Sequence, residues 1–264
     1  MHLIGLALNF GTKAASAALF GLLLLIAFAV TAPMGSQEYY GYFRYDYLLF
    51  YALSIQVCLI YLKLESWAEA KVIALFHIMA MGMEIFLTHP AIASWQYPQP
   101  AVFKLLTVPL FAGFMYSAVG SFFARSLRLY KVSFENLPRF ANMLCLAVLS
   151  YLNFMTKFFI PDYRLVLFAW SIIIFWKTKL YFQLSDSRFK VPMLPILLLL
   201  AFLIWIAENI STFYKIWLYP SQVDAWHMVG WWKLGSWYLL LLLSLVLVLK
   251  ILGKRDKKGT WQLN

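Results

Sequence analysis

Charge is what this chain has least of. Only 12% of its 264 residues are Asp, Glu, Lys or Arg, and just 11 of them are acidic. A soluble chain of this size carries roughly a quarter charged residues, so an ordinary aqueous domain is excluded; a hydrophobic content of 63% and a mean hydropathy of +0.75 agree. Cysteine is nearly absent. Cys58 and Cys145 both fall inside apolar runs, where a thiol acts as a small apolar side chain, and two residues make neither a disulfide framework nor a zinc ligand set. There is no His-Glu-x-x-His helix, phosphate-cradling glycine loop, Gly-x-Ser-x-Gly elbow or dinucleotide fingerprint, so we expect no metal and no cofactor.

Long apolar runs are present in quantity. Stretches able to cross a bilayer lie near 14–32, 46–63, 69–88, 102–124, 138–158, 163–182, 192–215 and 233–252. Little chain remains outside them. The expectation is an all-α polytopic transmembrane bundle of about eight helices, a single domain over 1–264 with short loops, because open backbone in lipid leaves its polar groups unsatisfied. The first run ends in Ala27, Ala29 and Ala32, as a cleavable leader does, but Pro33 follows at once and the run is a full span long. We read it as a retained first helix.

A net charge of +11 would suggest nucleic acid in a soluble protein, yet here the basic residues sort by loop. The N-terminus, the even-numbered loops and the C-terminus hold 16 of the 22, with clusters at Arg125–Arg139, Lys177–Lys190 and Lys250–Lys258. Arg44, Lys104, Lys157, Arg164, Lys215 and Lys233 make up the other side. By the positive-inside rule both termini are cytoplasmic, the bilayer is the partner, and nucleic acid is an unnecessary reading.

Against this apolar background one pattern occurs twice. Glu84, Thr88, Trp95, Tyr97 and Pro98 are echoed by Glu208, Thr212, Trp217, Tyr219 and Pro220, each set at the outer end of an apolar run. Thr follows Glu by four residues in both, so the two side chains share a helix face. A second pair of loops, around Arg44 and Asp46 in RYDYLLF and around Asp162 and Arg164 in PDYRLVLF, places Asp-Tyr beside an Arg at the outer start of a helix. Together they predict an internal repeat of 14–124 with 138–252, as two parallel four-helix halves about an axis along the membrane normal.

The third predicted helix carries His77, Met81, Glu84 and Thr88 on one face, and the seventh carries Trp205, Glu208, Thr212 and Lys215. A carboxylate at mid-bilayer costs about 2.5–3.5 kcal/mol, so both acids should face the interior and meet a partner. By depth Arg44, Arg164, Lys104 and Asn209 are the candidates. Trp95, Tyr97, Trp217 and Tyr219 stand beside the acids, with prolines that stiffen their turns. The plain alternatives are interhelical hydrogen bonds for the glutamates and an interfacial belt for the aromatics, as for Trp226, Trp231, Trp232 and Trp237. On the fourth predicted helix Gly113, Ser117, Gly120, Ser121 and Ala124 form a small-residue face suited to close packing.

Several segments carry a family resemblance: RYDYLLFYALSIQ, KVIALFHIMAMGMEIF with SWQYP, GFMYSAVGS, YLNFMTKFFIPDYR, IWIAENISTFYKIWLYPSQ and KLGSWYLLLLLSLVLVLK. In these the chain resembles, end to end, the YoaT-like bacterial membrane proteins, domain of unknown function 817. The resemblance implies a bacterial plasma (inner) membrane protein and supplies no activity. It marks His77, Glu84, Ser94, Trp95, Tyr97, Pro98, Asn153, Asp162, Arg164, Glu208, Asn209, Tyr219, Pro220 and Gln222. Ala93 stands where a glycine is expected, which loosens the first turn.

Three functions remain open. The chain binds a small molecule or lipid at an outward-facing acidic and aromatic site, with transport as the activity; or Glu84 and Glu208 act as acid and base on an isoprenoid lipid, with aromatic faces stabilising a cation; or the chain is a scaffold or assembly factor. Few prolines or glycines interrupt the predicted helices, which counts against transport. Eight helices is few for a monomeric carrier, a shortfall a homodimer would meet.

Overall fold

The computed structural model describes residues 2–255 and 261–263. It is mostly helical, with nine α-helices among the described residues: α1 (His2–Ala17), α2 (Leu19–Val30), α3 (Arg44–Tyr61), α4 (Trp67–Leu87), α5 (Ala112–Leu129), α6 (Phe140–Thr156), α7 (Arg164–Phe175), α8 (Met193–Phe213) and α9 (Lys233–Leu252). Three of them, α4, α8 and α9, are long and apolar enough to cross a membrane, and a fourth span results if the bent pair α1–α2 counts as one. Side chains such as Val57, Ile78, Leu165 and Ile173 are more than 60% exposed, as expected of a surface solvated by lipid. An all-α polytopic bundle accounts for these features.

Where the helices depart from the apolar runs, local chemistry gives the reason. The first run extends back to His2, because nothing in HLIGLALNFGTKAASA breaks a helix, and it divides at Ala18 into α1 and α2. The fourth begins at Ala112 rather than near 102. Val102 and Phe103 give their N–H groups to the Asp46 carboxylate at 2.8–3.0 Å, and the chain then turns through a short hairpin, β1 (Lys104–Leu105) with β2 (Val108–Pro109). Pro109 also disfavours a helical Val108. The sixth stops at Phe175. Beyond it KLYFQL and SRFKVP alternate apolar and polar residues and form the hairpin β4 (Lys179–Leu184) with β5 (Ser187–Pro192), turning where Ser185 adopts a φ of 49°. With β3 (Ser133–Glu135), β6 (Gly253–Arg255) and β7 (Trp261–Leu263) they make a five-stranded antiparallel sheet in the order β5-β4-β3-β7-β6, which the apolar pattern did not announce.

The chain packs as two compact units. The first comprises Met1–Leu19, Gly120–Ile204 and Trp231–Asn264, and the second Phe20–Val119 and Trp205–Gly230. In the first, α6 and α7 pack on α9, whose buried face includes Tyr238, Leu241, Leu242, Leu245, Val248 and Leu249. Gly235 leaves room for the Phe168 ring, which lies where a β-carbon would come within 2.5 Å of it. In the second, α4 starts with a reciprocal cap: Ser66 Oγ accepts from Glu69 N at 3.2 Å, and Glu69 Oε2 accepts from Ser66 N at 2.7 Å. Gly113 of α5 lets the His77 ring approach to where a β-carbon would stand 2.5 Å away, so part of the small-residue face serves close packing, as its spacing suggested.

Candidate functional site

The two Trp-x-Tyr-Pro loops meet within the second unit. Gln96 and Leu218, the central residue of each motif, exchange both backbone hydrogen bonds at 2.9 Å as an isolated antiparallel bridge. In such a pair the residues on either side of the bridged positions point to one face. Trp95 and Tyr97 from one loop therefore share a face with Trp217 and Tyr219 from the other. The Trp95 and Tyr219 rings touch edge to face, with centroids 6.2 Å apart.

Both glutamates lie under that face, buried to 1% and 3% exposure. Glu84 Oε2 accepts from Trp95 Nε1 and from the Tyr97 hydroxyl, each at 2.8 Å, while Oε1 accepts from Tyr116 at 2.7 Å. The Tyr219 hydroxyl donates to Glu208 Oε1. Tyr116, from α5, stands within electrostatic reach of Glu208 and Tyr219 as well as bonding Glu84, so the acids and phenols form one cluster. A hydrogen bond to a charged group contributes about 1.5–3 kcal/mol. Three of them offset the cost of burying a carboxylate, which is roughly 2.5–3.5 kcal/mol at mid-bilayer and less toward the end of a span, where Glu84 stands.

The donor types decide what this cluster can do. An indole N–H only donates, which fixes Oε2 as an acceptor in either charge state of Glu84. A phenol hydroxyl does both: Tyr116 can donate to an ionised Oε1 or accept from a protonated one. Either charge state of Glu84 can thus be accommodated by rotation of an O–H bond, with no side chain displaced.

The other residues singled out in the sequence have these places. Thr88 ends α4, donating to the Glu84 carbonyl at 2.8 Å and meeting Thr107 Oγ1 at 2.6 Å. His77 packs on Phe114, ring centroids 4.6 Å apart. Arg44, expected by depth as a partner of the acids, directs its guanidinium elsewhere, to Thr31 Oγ1, Gln99 Oε1 and the carbonyls of Phe28 and Tyr214. Asp46, wholly buried, holds the N–H groups of Phe43, Val102 and Phe103. Asn209 bridges the Trp205 carbonyl and Val229 N, and Thr212 accepts from Trp226 Nε1 at 3.2 Å. Lys104 is exposed in β1. Tyr116 escaped sequence reasoning. Its signal is Gly113-x-x-Tyr116 within AGFMYSAVGS, which recurs 122 residues later as Gly235-x-x-Tyr238, the same offset as the two Trp-x-Tyr-Pro motifs.

In the first unit, Asp162 and Arg164 form an ion pair at 2.8 Å at the start of α7, and Asn153 Nδ2 donates to Asp162 Oδ1 at 2.9 Å. Burial pushes this carboxyl up, but the Asn153 amide, the Arg164 N–H and the charges of Arg164 and Lys157 outweigh it and hold the pKa below the ordinary aspartate value. Stability from a depressed acid is complete above its unfolded pKa and is lost as pH falls through the folded one. Acid titration of thermal unfolding in detergent should therefore show wild type losing stability below a pH of about 4, with a shallower slope for Asp162→Asn. Equal slopes would mean that the loop's network contributes nothing.

Among the described residues no group of three or more His, Cys, Asp or Glu side chains is placed to hold a metal, and Cys58 and Cys145 are free and exposed. Helices apolar and long enough to span a bilayer define the class, a polytopic membrane protein. Residues 7–245 match the family described as "Protein of unknown function (DUF817)", and the chain belongs to it. It is 35% identical over 262 residues to "Uncharacterized protein YoaT" of Bacillus subtilis (strain 168), covering 98% of this chain and 97% of that one. No solved structure matches.

Proposed function

We propose that this chain is a multi-pass plasma-membrane protein with both termini cytoplasmic, and that it binds a small molecule or lipid at an outward-facing site whose proton- or cation-binding groups are Glu84 and Glu208. Transport is the activity this arrangement fits best. One observation carries the reading: two copies of a sequence motif, 122 residues apart, meet through a backbone bridge and set two buried carboxylates into one phenol and indole cluster. Intramembrane acids in protein interiors are the usual elements of proton and ion pathways. The meeting of the motif copies also supports the repeat of 14–124 with 138–252, and the sorting of basic residues supports the topology.

A second reading, acid–base chemistry on an isoprenoid, draws on the same rings, since indole and phenol faces stabilise a carbocation. General-acid chemistry, however, needs a carboxyl oxygen presented to the substrate, and both oxygens of Glu84 are already engaged by Trp95, Tyr97 and Tyr116. Mass spectrometry of what copurifies with the detergent-solubilised protein separates these. A polar solute held by wild type and missing from the folded Glu84→Gln, Glu208→Gln double variant supports binding for transport, whereas a polyisoprenoid supports the enzyme. An identical ligand profile in both proteins would reject a site at the glutamates and leave the cluster as a packing device.

A further inference from the structure

Helix α7 ends at Phe175 after 12 residues, which at 1.5 Å per residue is roughly 18 Å. Where it stops, a groove of about 650 Å³ opens, with Leu137, Ile172, Ile173 and Trp176 on its apolar side and Asn136 and Lys177 at its polar rim. Thr178 Oγ1, donating to the Asn136 carbonyl at 3.0 Å, pins the two chain segments that form the groove. The apolar wall continues the exposed face of α7, where Leu165, Val166 and Ile173 are 79%, 63% and 74% exposed. In a bilayer that face meets acyl chains. Trp176, 70% exposed, closes it with the side chain that gathers at the headgroup level.

The charge at this end is positive. Lys177 is exposed, and the strands that follow bring Lys179, Arg188 and Lys190. Of the nearby acids, Glu135 is held by Lys190 at 2.9 Å and by the Tyr181 hydroxyl, and Asp186 lies at the far turn of the β4–β5 hairpin. An exposed lysine beside an apolar wall that runs into the lipid-facing helix complements one kind of ligand, an acyl chain ending in a negative headgroup. A zwitterionic headgroup would bring its own cation against the same lysine.

We infer that this groove binds an anionic phospholipid of the surrounding membrane, its phosphate on Lys177 and its acyl chain along Ile172 and Ile173. The site is independent of the glutamate cluster. Native mass spectrometry of the full-length protein in detergent, titrated in turn with phosphatidylglycerol and phosphatidylcholine, tests it. Wild type should retain phosphatidylglycerol preferentially, and Lys177→Gln should lose about five-fold in that retention, the equivalent of ~1 kcal/mol for one lysine at an anionic surface. Lys254→Gln, an exposed charge outside the groove, should change nothing. Ile172→Trp, which fills the groove and keeps the charge, should lose retention as Lys177→Gln does, and it carries the test if the lysine variant does not fold. Equal retention of the two lipids, or equal losses from Lys254→Gln and Lys177→Gln, would overturn the site.

Discussion

Glu84→Ala should unfold at markedly lower temperature than wild type in detergent, with a loss of at least ~3 kcal/mol, while Glu84→Gln should stay within ~1 kcal/mol. The asymmetry follows from which atoms bond to what. Alanine leaves the Trp95 indole, the Tyr97 hydroxyl and the Tyr116 hydroxyl buried without their acceptor, each at a cost of about 1–3 kcal/mol. Glutamine keeps the arrangement: its carbonyl oxygen takes the Oε2 position and accepts from Trp95 and Tyr97, and its amide takes the Oε1 position and donates to the Tyr116 oxygen. What glutamine loses is the exchangeable proton. Glu84→Gln therefore separates folding from function, and an alanine variant as stable as wild type would show that the three bonds contribute nothing to the folded protein.

Asp46 should be intolerant of both Ala and Asn, which distinguishes it from Glu84. Its Oδ1 accepts from Val102 and Phe103, and its Oδ2 from Phe43 and Val102, in a place with no exposure at all. Alanine strands three backbone donors. Asparagine puts an NH2 against at least one of them, a meeting of donors that no flip cures, since both oxygens are engaged. We expect Asp46→Asn and Asp46→Ala each to cost at least ~2 kcal/mol in thermal unfolding and to expose the chain near Val102 to proteolysis. A tolerated Asn would mean that the Val102–Phe103 segment does not dock on α3.

How much of this was legible in the sequence varies with the range of the forces involved. Helices α4, α8 and α9 sit within a few residues of their apolar runs, because an uninterrupted run bounded by polar residues leaves the backbone one way to satisfy itself in lipid. The run at 102–124 misled, since what keeps Val102 and Phe103 out of a helix is a carboxylate 56 residues earlier, and no local pattern records it. The run at 163–182 misled for the opposite reason: the alternation in LYFQL and RFKV was present but short, and the apolar count outweighed it. At the site, repetition marked Glu84, Trp95, Tyr97, Glu208 and Tyr219. It marked Tyr116 only faintly, through the two shared residues of Gly113-x-x-Tyr116 and Gly235-x-x-Tyr238, too few to stand out among 16 tyrosines. Arg44 was legible as a cation at the depth of the acids but not in its destination, because two of its acceptors are backbone carbonyls, which leave no trace in sequence.

The site exists only if the two motif copies meet, and a cysteine pair tests that most directly. With Cys58 and Cys145 replaced by serine, Gln96→Cys and Leu218→Cys should form an intramolecular disulfide in native membranes under mild oxidant. Residues paired in this way have Cα atoms roughly 5.5 Å apart, within disulfide range, and point away from the glutamates. A fast-migrating monomer that reverts on reduction is expected on a non-reducing gel, and no such band when cysteine replaces Gln99 instead of Gln96. A folded double variant that stays reduced, or that crosslinks only between chains, would contradict it.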